Sequence, residues 1–280
     1  MTDVQFNFGE NWREFSDNAL TAERVAQAKR DFVDLLRGIE LKERSFLDIG
    51  FGQGLSLLTA TALGARTVGC DINPLCAEVL RENRARAFPG DIDGEVPVIV
   101  GSILDAQLVD ALREAAPGGS GSYDIVHSWG VLHHTGNMAA ALRNAASLVH
   151  PRGHLIIAIY NRHWSSRAWW LIKRAYQFLP KFGQRLMVGG LWPIIFVAKW
   201  LSTGGNPLRQ SRGMDFHYDV VDWVGGYPYE YGSVDEIARF VEALGFRLVR
   251  TIPAQVPTGC NQFVFERVAT AAATTPKVES

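Results

Sequence analysis

Short apolar runs alternate with helical spacing along most of the chain. Continuous apolar runs at 46–49, 67–70, 97–100 and 153–160, and another that starts at Tyr123, predict buried strands. Apolar residues at helical spacing predict helices over 21–38, 55–63, 74–87 and 137–149. Strands that alternate with helices are typical of an α/β fold with a mostly parallel sheet. We therefore expect a doubly wound sheet with helices on both faces.

The C-terminal part shows a different pattern. Ser233 and Glu236 have the spacing of a capping box, which opens a helix that ends at Gly245. Apolar runs at 246–252 and 261–268 follow, joined by a segment with proline and glycine, and predict an antiparallel hairpin at the sheet edge. Residues 269–280 are alanine, threonine and polar residues, which predict a disordered tail.

A glycine-rich turn follows the first predicted strand. Gly50, Gly52 and Gly54 come directly after it, with Asp48 one residue before the first glycine. Glycine reaches positive φ without steric cost and lets a ligand approach the backbone closely. Asp71 ends the second strand, where a carboxylate can accept hydrogen bonds from two ribose hydroxyls. Taken singly, Asp48 is equally explained as a turn cap and Asp71 as the cap of the next helix.

The combination of L-D-I-G-x-G-x-G with G-C-D-I-N-P resembles class I S-adenosylmethionine-dependent methyltransferases. The resemblance covers about 6–265 and implies a Rossmann-like fold whose seven-stranded sheet ends in an antiparallel hairpin. Within that class, R-G-M at 212–214, D-W-x-G-G-Y-P at 222–228 and G-C-N at 259–261 are similar to a bacterial subgroup assigned to small molecules. The resemblance to class I methyltransferases also implies that S-adenosylmethionine is the cofactor. The residues expected to hold it are Asp48, Gly50, Gly52, Gly54, Asp71 and Ile72.

Further cofactor contacts are expected from two other stretches. In the family, the end of the third strand flanks the adenine, and Ser102 and Ile103 occupy those positions here, with serine in place of the commoner acidic residue. The aromatic residues at 6–15 precede any predicted regular element, and they either pack on the core or cover the cofactor. Aromatic faces attract sulfonium cations, which makes Phe8 and Trp12 the candidates.

The end of the fourth strand leads toward the expected reaction centre. Ligands of open α/β sheets bind at the carboxyl ends of strands, so the pocket candidates are Ser128, Trp129, Gly130, His133 and His134. Ser128 and Trp129 are assigned to the cofactor. His134 is the first candidate for a general base because of its position after the fourth strand, and Tyr160 and His217 are the next candidates. A purely structural histidine is an equally good interpretation of His133 or His134 alone.

Residues 162–232, here called the insertion, begin with one sign of charge. From Arg162 to Arg212 there are nine lysine or arginine residues and no acidic residue, together with many large apolar side chains. Helical spacing predicts one helix that includes 170–179 and a second over 191–201, which is too short to cross a bilayer. The favoured interpretation is a helical cap with basic side chains at its surface. A substrate lid, an interfacial membrane helix and an oligomer interface remain open.

Composition excludes several classes of function. The formal net charge is −1, and S-W-G-V at 128–131 lacks the proline motif of methyltransferases that act on nucleic-acid bases, so no nucleic-acid partner is expected. Three cysteines without a C-x-x-C pair disfavour disulfides and a metal site. With no signal sequence visible at the N-terminus, a cytoplasmic enzyme is expected.

The sequence predicts five segments along the chain and leaves three hypotheses for its function. We expect an N-terminal arm and helix over 1–44, a cofactor-binding core over 45–161, the insertion, a completing helix and hairpin over 233–268, and the tail. The leading hypothesis is methyl transfer to a small molecule. Intramolecular cyclisation of S-adenosylmethionine to azetidine-2-carboxylate, with release of methylthioadenosine, uses the same fold if the lid excludes an acceptor. A cofactor-binding scaffold without catalysis is the third.

Overall fold

The computed structural model describes residues 6–208 and 213–268. Seven strands form one sheet in the order β3-β2-β1-β4-β5-β7-β6. Strand β7 is antiparallel to β5 and β6, and the other pairs are parallel. The predicted Rossmann-like sheet with its antiparallel edge hairpin is confirmed. The strands are β1 Ser45–Ile49, β2 Arg66–Asp71, β3 Val98–Val100, β4 Tyr123–Trp129, β5 Val149–Tyr160, β6 Phe246–Ile252 and β7 Cys260–Arg267.

Helices cover both faces of this sheet. The expectation that residues 6–15 precede regular structure is wrong: a helix begins at Phe8, and the Asn7 side chain accepts a hydrogen bond from the Glu10 backbone at its start. A helix at 106–114 was not predicted. The helices are α1 Phe8–Asn18, α2 Ala22–Leu35, α3 Leu55–Ala62, α4 Pro74–Ala87, α5 Ala106–Glu114, α6 Met138–Ser147, α7 Ser166–Phe178, α8 Lys181–Thr203, α9 Phe216–Gly225 and α10 Val234–Glu242.

The core has two layers because successive side chains of a strand point to opposite faces of the sheet. On β1, Leu47 and Ile49 pack into a cluster that includes residues of α5, α6 and α10, whereas Phe46 packs into a cluster with residues of α2, α3 and α4. Strand β5 divides in the same way, with Leu155 in the first cluster and Ile156 in the second. This burial on both faces explains the continuous apolar runs of the central strands.

Helix caps settle one alternative from the sequence. The Asn73 side chain, not Asp71, accepts the hydrogen bond from the Leu75 backbone at the start of α4, and Pro74 occupies the first turn. Asp71 is therefore not the cap of this helix. The predicted capping box of α10 is confirmed, since Ser233 and Glu236 exchange both hydrogen bonds.

The insertion folds into α7, α8 and α9, which share a small apolar core with Tyr176, Val188 and Phe216 at its centre. Its second helix is much longer than predicted, running from Lys181 to Thr203 through Pro193. The statement that it is too short to cross a bilayer is wrong. Within the described ranges α8 alone is long and apolar enough to do so, and only 6% of its most apolar window is buried.

Candidate active site

A cavity of about 1640 Å³ opens at the carboxyl ends of the parallel strands and extends beneath the insertion. Residues at or just beyond the ends of β1, β2, β3, β4 and β5 line it: Gly50, Asp71, Gly101, Trp129 and Tyr160. Open α/β sheets bind ligands at this edge. The volume exceeds the roughly 300–1,000 Å³ of typical small-molecule pockets, so the cavity has room for more than one ligand.

The glycine loop between β1 and α3 requires glycine at each of its three positions. Gly50, Gly52 and Gly54 have φ values of +72°, +54° and +83°. A Cβ on Gly50 would lie 2.4 Å from the Val131 side chain, and one on Gly54 would lie 2.1 Å from Leu80. Side chains at these positions would strain the backbone and clash with the core. The loop therefore presents bare backbone to the cavity.

Asp71 holds the loop from the neighbouring strand. Its Oδ2 accepts a hydrogen bond from the Gly52 backbone at 3.0 Å, and its Oδ1 accepts one from the Asn73 backbone at 2.9 Å. Burial raises the pKa of this carboxyl, and the two backbone donors oppose that rise. The Cys76 thiol is a third donor to this carboxyl, which leaves about one of its four acceptor sites for a further donor. Ile72 follows it with its side chain exposed at the cavity.

The remaining predicted cofactor contacts surround the same volume. Ser102 and Ile103 line it beyond β3, and Phe8 and Trp12 of α1 line it from the opposite side. A Cβ on Gly52 would lie 2.9 Å from Trp12 Nε1, so the indole lies directly against the glycine loop. The Phe8 ring lies 4.9 Å from that of His134. Helix α1 therefore spans the cavity from the loop to the fourth strand.

Asp48 forms a buried pair beneath the loop. Its Oδ1 lies 2.7 Å from Nδ1 of His127, and both side chains are almost completely buried. A carboxylate only accepts hydrogen bonds, so the histidine donates through Nδ1. His127 Nε2 has no partner and both residues border the cavity. Asp48 is therefore held by His127 at the floor of the site.

The fourth strand separates two predicted site residues. Trp129 lines the cavity and donates to Gln262 at 3.1 Å. Ser128 is fully buried and donates to the Ile49 carbonyl oxygen at 3.0 Å, outside the cavity lining. The two neighbouring side chains point to opposite faces of the sheet, and only Trp129 reaches the cavity. The assignment of Ser128 to the cofactor is corrected: it joins β4 to β1.

The three candidate catalytic residues have different positions. His134 lines the cavity, and its Nδ1 donates to the Pro228 carbonyl oxygen at 2.6 Å. Burial, reinforced by the Lys173 charge, lowers the pKa of His134 to about 3, so the ring is neutral at pH 7. Tyr160 also lines the cavity, and burial raises the pKa of its hydroxyl well above 10.0. Tyr160 is a donor, not a base, at neutral pH.

His217 lies outside the site. It is exposed in the first turn of α9, and its backbone N–H donates to Asp215. His217 does not line the cavity, so it lacks the contact with a bound ligand that a general base needs. His133 is fully buried behind His134, with a ring separation of 4.5 Å, and does not line the cavity.

Sequence reasoning missed a cluster contributed by the insertion. Lys173 of α7 is fully buried with Nζ 4.3 Å from the Trp223 ring centroid and 4.8 Å from that of Tyr229. It also donates to the Trp223 carbonyl oxygen. Burial lowers the pKa of Lys173 to about 7. The aromatic faces and the carbonyl oxygen stabilise its cationic form.

Asp222 of α9 faces the cavity beside this cluster. Its Oδ1 accepts a hydrogen bond from Asn11 Nδ2 of α1 at 2.7 Å. Burial, and next the charge of Asp219, raise the pKa of Asp222 to about 8. Lys173 acts in the opposite direction. The sequence signal was the D-W-x-G-G-Y-P motif, which was used for the resemblance but not for the site.

Comparison with known proteins decides the family. The family model of the methyltransferase domain matches residues 21–251. The chain belongs to this methyltransferase family. The match includes the glycine loop, Asp71 and the whole insertion, and so covers most elements that build the cavity. The protein is a class I S-adenosylmethionine-dependent methyltransferase.

The methyltransferase is similar to proteins of more than one name. It is 22% identical over 213 residues to a ubiquinone biosynthesis O-methyltransferase of Serratia proteamaculans, covering 75% of this chain and 80% of that protein. A protein of the same name from Xanthomonas euvesicatoria is 28% identical, covering 63% and 68%. Magnesium protoporphyrin IX methyltransferase of Synechocystis, solved with bound SAH, superposes with a TM-score of 0.54 at 14% identity, covering 92% and 93%. The last likeness shows the fold alone.

S-adenosylmethionine is the cofactor of the methyltransferase, and the described residues fit it. The glycine loop gives a cradle that a Cβ would fill, and Asp71 has acceptor capacity at the end of β2. Phe8, Trp12 and Trp129 supply aromatic surface around the same cavity. Among residues 6–208 and 213–268, no cluster of three or more His, Cys, Asp or Glu residues suits a metal ion.

Proposed function

We propose that the methyltransferase transfers a methyl group from S-adenosylmethionine to a small organic acceptor bound beneath the insertion. One observation carries the proposal: a single cavity joins the glycine loop to the surface formed by Tyr160, Trp169 and Trp223. These residues belong to β5, α7 and α9, whereas the cofactor contacts belong to the core and α1. Cofactor and acceptor therefore have separate walls in one enclosed volume.

The acceptor wall favours a partly aromatic or apolar compound. The Trp223 ring lies 5.1 Å from that of Tyr160 and 5.1 Å from that of Trp169, and Tyr229 contacts Tyr160 and Trp223 from outside the cavity lining. Such rings bind flat apolar molecules through offset or edge contacts. Nucleic acid is a poor fit, because the chain has a net charge of −1 and recognition of phosphates needs many basic contacts.

The cofactor supplies a methyl group on a sulfonium with a neutral thioether as leaving group. The protein's task is to align the acceptor and to take its proton where it has one. A base is most effective when its pKa lies near the working pH. His134, with a pKa of about 3, fails this criterion, whereas Asp222, with a pKa of about 8, meets it.

Asp222 is therefore the proposed proton acceptor. His134 is proposed to line the site as a neutral ring, which its hydrogen bond to the Pro228 carbonyl oxygen orients. The hydrogen bond from Asn11 fixes one oxygen of Asp222 and leaves its second oxygen for the acceptor. Tyr160 contributes ring surface and a hydroxyl that stays protonated. This assignment predicts activity that rises with pH through about 8.

The cavity volume argues against cyclisation. Closure of the cofactor's own amino group on its γ-carbon requires that no acceptor competes, and this cavity exceeds the size of one ordinary ligand. A non-catalytic scaffold does not explain the buried Asp222 at the cavity wall. Neither alternative has an observation of its own in its favour.

The test is incubation of the purified enzyme with S-adenosylmethionine, alone and with a panel of phenols, carboxylic acids and amines that carry apolar rings. Mass spectrometry separates S-adenosylhomocysteine from methylthioadenosine. Acceptor-dependent S-adenosylhomocysteine and a methylated product support the proposal. Methylthioadenosine with azetidine-2-carboxylate in the absence of acceptor would establish cyclisation instead, and cofactor binding without any turnover would support the scaffold.

A further inference from the structure

We propose that the outer face of α8 docks on an anionic lipid bilayer, with the helix in the plane of the membrane surface. This inference is independent of methyl transfer and concerns a surface outside the cavity. The first observation is the exposure of large apolar side chains. Five of them have exposed fractions between 47% and 74%: Phe182, Leu186, Ile194, Val197 and Leu201.

These side chains form one continuous stripe. Residues three and four apart share a face of a helix, and the sequence 182, 186, 190, 194, 197, 201 follows that spacing, with Gly190 filling the gap. The stripe therefore runs along most of α8. Isolated exposed apolar residues need no explanation, but a stripe of this length marks an interaction surface.

The opposite face of α8 is bound to the protein. The Trp192 ring lies 5.1 Å from that of Phe216 and is stacked on Phe196, and Val188 is buried in the same cluster. Lys199 forms an ion pair of 3.4 Å with Asp219 of α9. Crossing a bilayer would break these contacts. The geometry therefore favours a helix that lies on the surface and buries only its outer face.

Charge selects the occupant of this face. Arg174, Lys181 and Arg185 are exposed around the start of α8, and α7 and α8 contain no acidic residue. A second copy would bring the same cations together, which is unfavourable in an interface. Anionic lipid headgroups complement them, and each basic residue near such a surface strengthens the attraction.

An exposed tryptophan fits the same surface. Trp200, near the end of α8, is 53% exposed. Indole rings favour the boundary between headgroups and acyl chains because one end is apolar and the other donates a hydrogen bond. The helical cap favoured from the sequence explains the inner face of α8 but not this outer face.

The experiment is co-sedimentation of the full chain with vesicles of phosphatidylcholine alone and with vesicles of equal parts phosphatidylcholine and phosphatidylglycerol. We expect binding to the anionic vesicles, weaker binding at higher salt, and little binding to the neutral ones. Equal binding to both vesicle types, or none to either, would overturn the proposal.

Val197→Glu and Val33→Glu form a matched pair of variants. Both valines lie on helices, with exposed fractions of 47% and 48%, but Val33 is on α2. Placing a charge on the stripe should weaken vesicle binding at least about tenfold, whereas the α2 variant should bind like the wild type. Thermal unfolding and S-adenosylhomocysteine binding show that both variants are folded.

Arg185→Glu tests the charge term separately. It should weaken binding to anionic vesicles without changing the small amount of binding to neutral ones. Sedimentation velocity without lipid tests whether a second copy of the chain covers this face instead. A concentration-dependent dimer that Val197→Glu disrupts would show that a second copy covers this face, and the lipid proposal would be wrong.

Discussion

The Asp222→Asn substitution tests the buried carboxyl at the cavity wall. In the folded chain the pKa of Asp222 rises from its ordinary value of 3.8 to about 8, mainly through burial. The amide of asparagine is neutral at every pH and keeps an oxygen that accepts from Asn11. The variant therefore resembles the protonated wild type, and comparing the two measures the cost of ionising this carboxyl.

The sign of the effect follows from proton linkage. Because the folded-state pKa is raised, the carboxyl's stabilising contribution is fully present below pH 3.8 and is lost as pH rises through about 8. Full linkage gives about 1.4 kcal/mol per pH unit, or about 2.7 kcal/mol from about pH 5.5 to about pH 7.5. Because Asp222 is partly exposed toward the cavity, we expect about half of this, roughly 1.4 kcal/mol.

The assay is urea unfolding of wild type and variant at both pH values, with the difference in free energy of unfolding compared between them. Asp219 is present in both proteins, whereas the Asp222 charge also raises the pKa of Lys173, so the comparison measures the ionisation of Asp222 together with its effect on Lys173. Asp93→Asn, in the exposed loop between α4 and β3, is the control and should run parallel to wild type. Parallel profiles for Asp222→Asn would refute the raised pKa and with it the proposed base.

Three further substitutions separate the cofactor site from its surroundings. Asp71→Asn should weaken S-adenosylhomocysteine binding by about tenfold or more in calorimetry, since a hydrogen bond to a charged group contributes about 1.5–3 kcal/mol; unchanged affinity would contradict its role. Ser128→Ala should lower the free energy of unfolding by about 1 kcal/mol without changing cofactor affinity, because its hydroxyl contacts the Ile49 carbonyl. His217→Asn should leave kcat and KM unchanged, and a loss of activity would place the exposed histidine in the site after all.

Most of the sheet could be predicted because its strands carry a strong physical signal. Burial on both faces demands continuous apolar residues, and the edge hairpin is bounded by a capped helix and a glycine-containing connection. The errors concern amphipathic segments. Phe8, Trp12 and Phe15 have the spacing of a helical face, and so do Leu108, Val109 and Leu112, but the aromatic content of the first and the short length of the second hid the period.

The two halves of the site differ in how far the sequence could predict them. The cofactor contacts come from strand ends and a loop whose order along the chain fixes where they meet. Lys173 and Asp222 are separated by 49 positions in sequence and meet only because α7 packs on α9. Nothing in the spacing of either helix predicts that packing. The pKa values that decide their chemistry depend on burial, which follows from the same contacts.

Helix α8 shows why an apolar pattern alone could not choose between cap and membrane surface. A helix that is apolar around its whole circumference is buried in protein or in contact with lipid, and its sequence is similar in both cases. Its inner residues Ile195 and Ala198 border the cavity and Trp192 packs on Phe216, whereas the side chains of the outer stripe are exposed. One helix thus lines the cavity on one side and presents an apolar surface with basic residues at its start on the other. The sequence encodes both surfaces, and only the packing against α9 distinguishes them.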